Sequence, residues 1–381
     1  MKFVTLRYSA SKGWDIPFPD LDSSQTLVLV FGATSFLDQP EPIREVARAY
    51  PTSHIAGCST AGEILGTEIT DESLVVAVTR FSGTPLASVV LPMQDASASY
   101  QVGVNIAQQL ASPKLKGVMV LSEGITVNGS QLVAGINSVL PQRVVLTGGL
   151  AGDGPRFERT WVIKDGHPQS GYVSAVGMYG DHIHIGHGSK GGWDTYESEY
   201  WITKSKDNVL YEINGRPALQ LYKQYLKDQA AGLPASALLF PLSLRVNSRS
   251  SKQIVRTVLG VDEATQSMTF AGDMPQGYLA QFMRANFDRL IQAAESAALM
   301  TEAGTNPTNT LMVAISCVGR RLVLKERTHE ELEKVSSTLP DYAQQIGFYS
   351  YGEISPYASG VCELHNQTMT LTSISEPGFN E

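Results

Sequence analysis

Three of the seven histidines of the chain lie within residues 181–188, whose sequence is DHIHIGHG. Side chains alternate between the two faces of a β-strand, so His182 and His184 are expected on one face and the two isoleucines on the other. His187 is expected in a glycine-flanked loop that ends the strand, where its imidazole can turn toward a cavity. Imidazole nitrogens bind zinc and haem iron, so this segment predicts a metal site or a haem site. A polar strand face in solvent is the structural alternative for His182 and His184.

If these histidines bind a metal, the segment suggests a metal-dependent hydrolase. The segment is similar to the His-x-His-x-Asp-His segment of metallo-β-lactamase-like hydrolases, but Gly186 replaces the aspartate. Downstream, only His329 and His365 remain as further imidazole ligands. A metal-dependent hydrolase that uses the three clustered histidines is therefore an alternative that lacks its acidic ligand.

The haem interpretation needs fewer protein ligands. Haem iron requires one axial side chain and a largely apolar slot. We predict His187 as the iron ligand, with His184 as the second choice. Trp193 and Tyr196 follow closely in the sequence and are predicted to wall the flat ligand, although both residues also suit an ordinary core.

Three glycine-rich turns recur along the chain, at residues 57–63 (GCSTAGE), 148–153 (GGLAGD) and 347–353 (GFYSYGE). Each turn follows an apolar run and an amphipathic stretch and precedes another apolar run, which indicates a repeated strand, helix, turn and strand. Glycine lets the backbone approach a ligand closely, and an acid after it can accept hydrogen bonds from a cationic group. Recurring turns at strand ends could thus assemble one shared pocket.

The acids of these turns, Glu63, Asp153 and Glu353, are candidate ligand-binding residues. The structural alternative is that the glycines allow close packing while the acids cap helices or pair with arginines. Cys58 lies in the first turn and could act as a nucleophile. The matching positions hold Gly149 and Phe348, so a small buried thiol is the structural interpretation.

The elements that position these residues form a mixed α/β (α+β) fold. The pattern predicts repeated strand-helix-strand-strand units that form two mixed-sheet domains. We place the boundary near residue 205, giving an N-terminal domain of residues 1–205 with two repeats and a C-terminal domain of residues 206–381 with the third. Helices are predicted near residues 42–50, 100–110, 130–140, 217–227 and 329–338, the last opened by a capping box at 328–331. A further long helix is predicted over residues 278–300.

Composition excludes several classes of protein. The 381 residues carry a net charge of -8 and no long basic run, so the electrostatic footprint of a nucleic-acid-binding protein is missing. No apolar stretch of about 18 residues could span a membrane, and the start of the sequence lacks the apolar core of a signal peptide. The three cysteines are far apart and odd in number, which favours reduced thiols in a cytoplasmic protein.

Several of these motifs, in this order, resemble the FIST family. The resemblance to the FIST N domain rests on residues 29–32, 57–64, 148–153 and 202–205, and that to the FIST C domain on residues 215–218, 258–262, 347–355 and 364–368. It covers nearly the whole chain from about residue 25.

The resemblance implies a non-enzymatic intracellular sensor that binds a small ligand and signals to a partner. Stand-alone members of this size are similar to nitric-oxide-responsive haemoproteins that regulate histidine kinases, which implies haem as cofactor and a separate kinase as partner. Other members imply an amino-acid-like ligand, whose ammonium would bind the acids of the turns and whose carboxylate would bind Arg216 or Arg245. A homo-oligomer is compatible with either expectation.

Overall fold

In a computed structural model, three mixed β-sheets pack around a common centre and a fourth sheet is inserted between the second and third repeat. The structure describes residues 1–196, 198–250, 252–303, 309–356 and 360–377. The three sheets, built from residues 1–190 and 310–375, are called the three-sheet body, and the strands within residues 194–284 are called the inserted sheet.

The body contains three units of the same order. Unit 1 and its leading strands comprise β1 (Lys2–Ser9), β2 (Gly13–Trp14), β3 (Thr26–Gly32), α1 (Glu41–Ala49), β4 (His54–Ser59), β5 (Glu63–Leu65), β6 (Glu68–Thr70) and β7 (Ser73–Arg80). Unit 2 and the elements beside it comprise β8 (Leu86–Pro92), α2 (Ser99–Leu110), β9 (Leu115–Ser122), α3 (Gly129–Asn137), β10 (Val145–Leu150), β11 (Val162–Lys164), β12 (His167–Gln169), β13 (Tyr172–Tyr179) and β14 (His184–Lys190).

The inserted sheet and the third unit follow. The inserted segment comprises β15 (Asp194–Thr195), β16 (Tyr200–Lys206), β17 (Val209–Ile213), β18 (Arg216–Pro217), α4 (Ala218–Leu226), β19 (Leu242–Arg245), β20 (Ile254–Arg256), β21 (Val258–Asp262), β22 (Ser267–Phe270) and β23 (Leu279–Arg284). Helix α5 (Phe287–Met300) leads to unit 3, which comprises β24 (Thr310–Cys317), α6 (Val318–Leu324), α7 (Thr328–Thr338), β25 (Ala343–Ser350), β26 (Gly352–Pro356), β27 (Cys362–His365) and β28 (Met369–Ser375). Short 3₁₀ turns span Thr34–Leu37, Ala96–Ala98, Lys227–Gly232, Ala235–Leu239 and Lys325–Arg327.

The units exchange their hairpins in a cycle. In each unit the first two strands run parallel, as β3 with β4, β9 with β10 and β24 with β25. The hairpin that follows then joins a neighbouring sheet: β5 pairs with β25, β26 with β10, and β11 with β4. Each sheet of the body is therefore completed by a different unit.

The repeated glycines are explained by this pairing. Gly57, Gly148 and Gly347 occupy matching positions on the second strand of each unit. A Cβ atom on them would lie 2.3, 1.8 and 1.7 Å from a carbonyl oxygen of the first strand. The sequence repeat thus reflects a close backbone approach that no side chain permits.

Apolar side chains fill the centre between the three sheets. Phe31, Leu121 and Ile315 come from the first strand of each unit and are essentially inaccessible, and Phe348 packs on Phe31 with ring centroids 4.7 Å apart. Cys58 lies in the same core, where burial raises the pKa of its thiol well above the ordinary value. A thiol that stays protonated is a poor nucleophile, so its role is packing.

The mixed α/β class and five of the six predicted helices are confirmed. The long helix over residues 278–300 is wrong in its first part, because residues 279–284 form β23 and pair with β19 and β16. The helix begins only after Asn286, whose side chain accepts the N–H of Arg289 at 3.2 Å. Strand pairing here overrides a local apolar pattern that suits either structure.

One local prediction is also corrected. The capping box at 328–331 does not form, because Glu331 is bound instead to the buried Arg320 guanidinium at 2.8 Å. Residue 205, near which we predict a domain boundary, lies in β16, and β26, which lies beyond residue 205, completes a sheet with β10, which lies before it. Among the described residues, no helix has the length and apolar character needed to cross a bilayer.

Candidate functional site

The three glycine-rich turns meet at the centre of the body. The N–H of Ala61 donates to the carbonyl of Tyr349 at 2.8 Å, that of Tyr351 to Leu150 at 3.2 Å, and that of Gly152 to Ser59 at 3.0 Å. Each turn donates to the next, so the three bonds close a ring, which we call the central ring. Backbone groups that were predicted to receive a ligand are therefore used in holding the units together.

Two acids of the turns have matching structural roles. Glu63 accepts hydrogen bonds from Thr60 and from the backbone and hydroxyl of Ser73. Glu353 accepts in the same way from Ser350 and from Thr368. Burial raises the pKa of Glu63 to about 7 and the pKa of Glu353 to about 8. Each carboxyl group thus ties its turn to the start of the last strand of its unit.

Asp153, the third acid, lies one position earlier in its turn than Glu63 and Glu353 do in theirs, and it has different hydrogen-bond partners. Its carboxylate accepts the N–H groups of Phe157, Glu158 and Arg159 at 2.9, 2.9 and 3.1 Å, and the hydroxyl of Tyr351. It is fully buried. This acid organises the loop before β11.

The arginines predicted for a ligand carboxylate lie elsewhere. Arg216 is exposed on β18 and donates to Gln224 at 2.7 Å. Arg245 ends β19 and pairs with Glu199. Both belong to the inserted sheet, whereas the acids belong to the central ring, so the structure does not bring the five residues together.

The clustered histidines do not converge either. His184 and His187 both lie on β14, so the predicted loop at His187 is wrong. The strand continues because α5 packs directly on Gly186 and Gly188, where a Cβ atom would lie 2.0 Å from the carbonyl oxygens of Thr301 and Ala297. Three positions apart on a strand, the two imidazoles point to opposite faces.

His187 is half-buried, and its Nδ1 atom is buried without a hydrogen-bond partner. Burial lowers the pKa of His187, which favours the neutral imidazole. In the described ranges, no three histidine, cysteine or acidic side chains are grouped so as to hold a metal ion. The hydrolase interpretation therefore has no assembled ligand set.

The two predicted aromatic walls are separated. Trp193 is buried, and its indole N–H donates to the carbonyl of Gln367 at 3.2 Å. Tyr196 is 40% exposed and lies under the guanidinium of Arg284. The guanidinium carbon is 4.8 Å from the centroid of the tyrosine ring. Trp193 borders a cavity near the body.

That cavity, here called the junction pocket, lies between the body and the inserted sheet and has a volume of about 290 Å³. The body supplies residues from the end of β14 and from the β27–β28 connection, and the inserted sheet supplies β20 and Met283. Its lining residues are Ser189, Lys190, Gly191, Gly192, Trp193, Gln253, Ile254, Val255, Met283, Met300, Pro356, Glu363, Leu364, His365, Asn366 and Thr368. Apolar walls with a few polar groups are typical of a ligand site.

Residues 365–368, the end of β27 and its connection to β28, are called the connector, and three of them, His365, Asn366 and Thr368, form one wall of the junction pocket. His365 Nε2 donates to the carbonyl of Ser355 at 3.0 Å, and burial lowers the pKa of His365 to about 4, so the ring is neutral near pH 7. Asn366 donates to the carbonyl of Tyr351 at 3.1 Å. Thr368 donates to Glu353 at 2.9 Å. The wall of the pocket is therefore hydrogen-bonded to the third turn of the central ring.

Gln367 ties the connector to the inserted sheet. Its backbone adopts φ +63°, which brings its amide onto Leu238 and Thr257 at 3.0 and 3.2 Å. The same amide packs against Gly319, where a Cβ atom would lie 2.3 Å from it. A left-handed residue at this point turns the chain back into β28.

A buried ion pair reaches the opposite wall. Arg320 donates to Glu331 at 2.8 Å, to the carbonyl of Leu290 at 2.8 Å, and to the carbonyl of Gly191, which lines the junction pocket. Glu331 also accepts the hydroxyl of Tyr349, in the third turn, at 2.9 Å. Both walls of the pocket are thus linked to the central ring.

Sequence reasoning found part of this site. Trp193 was predicted beside a ligand, and residues 364–368 stood out as a motif. Lys190, Met283 and Arg320 were missed. The usable signal was the polar run of residues 365–368 between two apolar strands, since such a run must satisfy its polar groups when it is buried.

Comparison with known proteins identifies two domain families in the chain. Residues 26–216 match the FIST N domain and residues 218–356 match the FIST C domain. An uncharacterized protein of Methanocaldococcus jannaschii is 23% identical over 362 residues, which cover 83% of this chain and 66% of that protein. The chain therefore spans just under two thirds of that relative. The crystal structure of a cyanuric acid hydrolase from A. caulinodans aligns over 93% of this chain and 90% of its own at 10% identity, with a TM-score of 0.32, too low to support an argument.

Proposed function

The chain belongs to the FIST family, whose domains have a sensory, ligand-binding role, and on this premise we propose that it senses a small ligand in the junction pocket. The observation that carries the proposal is the connector at residues 365–368. It lines the pocket, and it is hydrogen-bonded both to the central ring and to the inserted sheet.

In this proposal the ligand changes how the body and the inserted sheet contact each other. A ligand in the pocket touches Met283 and Val255 on one side and His365 on the other. The ligand therefore favours the arrangement in which both sides of the pocket contact it, and ligand binding shifts the protein population toward that arrangement. A signalling partner that reads this arrangement, such as a separate histidine kinase, completes the proposed output.

A thermal-shift screen of small metabolites tests the proposal. A ligand that binds only the folded state raises the melting temperature, and the increase grows with the logarithm of the ligand concentration above Kd. Val255→Phe, which fills the pocket, is expected to abolish the shift, while Val246→Phe, at a 51% exposed position outside the pocket, is expected to keep it. Equal shifts in both variants would place the ligand elsewhere, and no shift with any metabolite would reject the proposal.

A haem-bound form is the second candidate, and it rests on the buried, unpartnered Nδ1 of His187. The surroundings do not fit it well. The junction pocket is lined by His365 and not by His187, and its volume of about 290 Å³ lies just below the range of about 300 to 1,000 Å³ for ligand sites. No step of the proposed sensing is therefore assigned to haem.

Absorption spectroscopy separates the two candidates. If the protein does not bind haem, we expect that expression with iron and a haem precursor gives purified protein without a Soret band. If a Soret band appears and shifts with nitric oxide, His187→Ala should remove or displace it while His184→Ala, on the opposite face of β14, should leave it unchanged. A spectrum that neither variant alters would exclude both histidines as iron ligands.

A further inference from the structure

We propose that the junction pocket takes a flat aromatic or heteroaromatic carboxylate whose ring lies against Trp193 and the two methionines and whose acid group meets Lys190. This inference rests on the proposed function and names the ligand class for the same pocket. Three features carry it: the apolar walls, the charge at the rim and the size.

Apolar side chains line part of the pocket and suit a ring, while polar residues such as Ser189, Gln253 and Asn366 line the rest. The indole N–H of Trp193 is already donated to Gln367, so the indole presents its carbon surface to the pocket. Met283 and Met300 line the same space, and thioether sulfurs make favourable contacts with aromatic rings. Ile254 and Leu364 extend this surface. An aromatic ligand therefore gains more here than a flexible polar one.

The rim carries an excess positive charge. Among the lining residues that the structure describes, Glu363 is the single carboxylate, and it is paired with Lys252. The ring of His365 is neutral near pH 7 because burial lowers its pKa to about 4. Lys190 is exposed at the end of β14, so its ammonium is left to meet an anion. A carboxylate gives a charge-assisted hydrogen bond at that point.

The pocket also limits the size of the ligand. Its volume of about 290 Å³ is small for a ligand site, which favours one ring or two fused rings over a larger molecule. Gly192 restricts one wall, because a Cβ atom on it would lie 2.5 Å from the carbonyl oxygen of Arg289. The backbone there has no room to retreat.

Isothermal titration calorimetry with matched probes tests the inference. Benzoate and indole-3-carboxylate are the expected ligands, benzamide and indole-3-carboxamide remove the charge, and cyclohexanecarboxylate removes the aromatic ring. We expect each aromatic acid to bind at least about tenfold more tightly than its amide, a difference of about 1.4 kcal/mol. Lys190→Met should erase this preference, while Lys12→Met, on an exposed turn far along the sequence, should preserve it.

The outcomes distinguish an error in the ligand class from an error in the proposed function. Amides or saturated acids that bind as tightly as the aromatic acids, in a manner blocked by Val255→Phe, would overturn the ligand class and leave the pocket as a sensor site. An acid preference that survives Lys190→Met would overturn the role of this lysine and with it the inference. Failure of the whole metabolite screen would remove the proposed function itself.

Discussion

At the scale of single residues, the buried carboxyl groups of Glu63 and Glu353 dominate the electrostatics of the body. Both accept hydrogen bonds from a Ser or Thr at the start of a strand, and both have a pKa raised by burial. An acid whose pKa is raised on folding binds a proton that the unfolded chain releases. Its contribution to stability is therefore present at low pH and lost as the pH rises through the folded value.

Glu353→Gln tests this linkage. The ordinary pKa of glutamate is 4.5 and that of Glu353 in the fold is about 8, so the folded state loses stability between about pH 4.5 and 8. We expect the free energy of unfolding of the wild type to fall by about 5 kcal/mol more than that of the variant over this interval. Urea unfolding at a series of pH values measures it, and parallel pH profiles would contradict the expectation.

His365 titrates with the opposite sign. Its folded pKa of about 4 lies below the ordinary 6.5, so the unfolded chain binds the proton first as the pH falls. Stability from this residue is complete above about pH 6.5 and is lost toward pH 4. His365→Gln should flatten the acid side of the stability profile, and an unchanged acid limb would mean that the pKa of this imidazole is the same in the folded and the unfolded chain.

Gly148 tests the close approach of the strands. It combines φ +140° with a Cβ position 1.8 Å from the carbonyl oxygen of Val120. Gly148→Ala is expected to lower the free energy of unfolding by more than about 3 kcal/mol. Gly66→Ala, with φ +59° and nothing within 4 Å, is the matched control and should cost about 1 kcal/mol. Equal effects would mean that φ alone sets the requirement.

At the scale of elements, the Arg320–Glu331 ion pair joins α6 to α7 in an environment without solvent. Removing one partner leaves the other charge buried and alone, so Arg320→Met should destabilise by about 3 to 5 kcal/mol. Replacing both, as Arg320→Met with Glu331→Leu, should recover most of the loss. Thermal unfolding of the four proteins in the cycle measures this, and strictly additive losses would count against the pairing.

The elements were predictable to different degrees. Amphipathic stretches located the helices, and the glycine motif located the turns, because both signals are local. The pairing of β23 depends on β19 and β16, which lie many residues away, so residues 278–286 were assigned to the wrong class. The continuation of β14 through His187 depends on the packing of α5 over Gly186 and Gly188, and no local sequence pattern predicts that packing.

At the scale of the whole molecule, the sequence indicated three related units but not their interlocking. Pairs such as β5 with β25 join residues almost 300 positions apart, and a single sequence carries no signal for such a contact. The junction pocket was missed for the same reason, since Trp193, Ile254 and His365 meet only after the chain has closed.

The exchange of hairpins predicts that the body folds as one cooperative unit. A fragment of residues 1–205 lacks β25 and β26, so β5 and β10 each lose one of their two partner strands. We expect this fragment to show no cooperative thermal transition by circular dichroism, and co-expression with residues 206–381 to restore one. A fragment 1–205 that melts cooperatively as a monomer would show that the two repeats form an independent domain.

The exchange also fixes an order of events during synthesis. The open edge of β10 is covered only by β26, which consists of residues 352–356, near the end of the chain. Until the ribosome has made that segment, the nascent protein carries an unpaired, apolar strand edge of the kind that invites association with other chains. A chaperone that holds the nascent chain until its last strands emerge would therefore raise the yield of this protein more than that of a protein whose sheets close in sequence order.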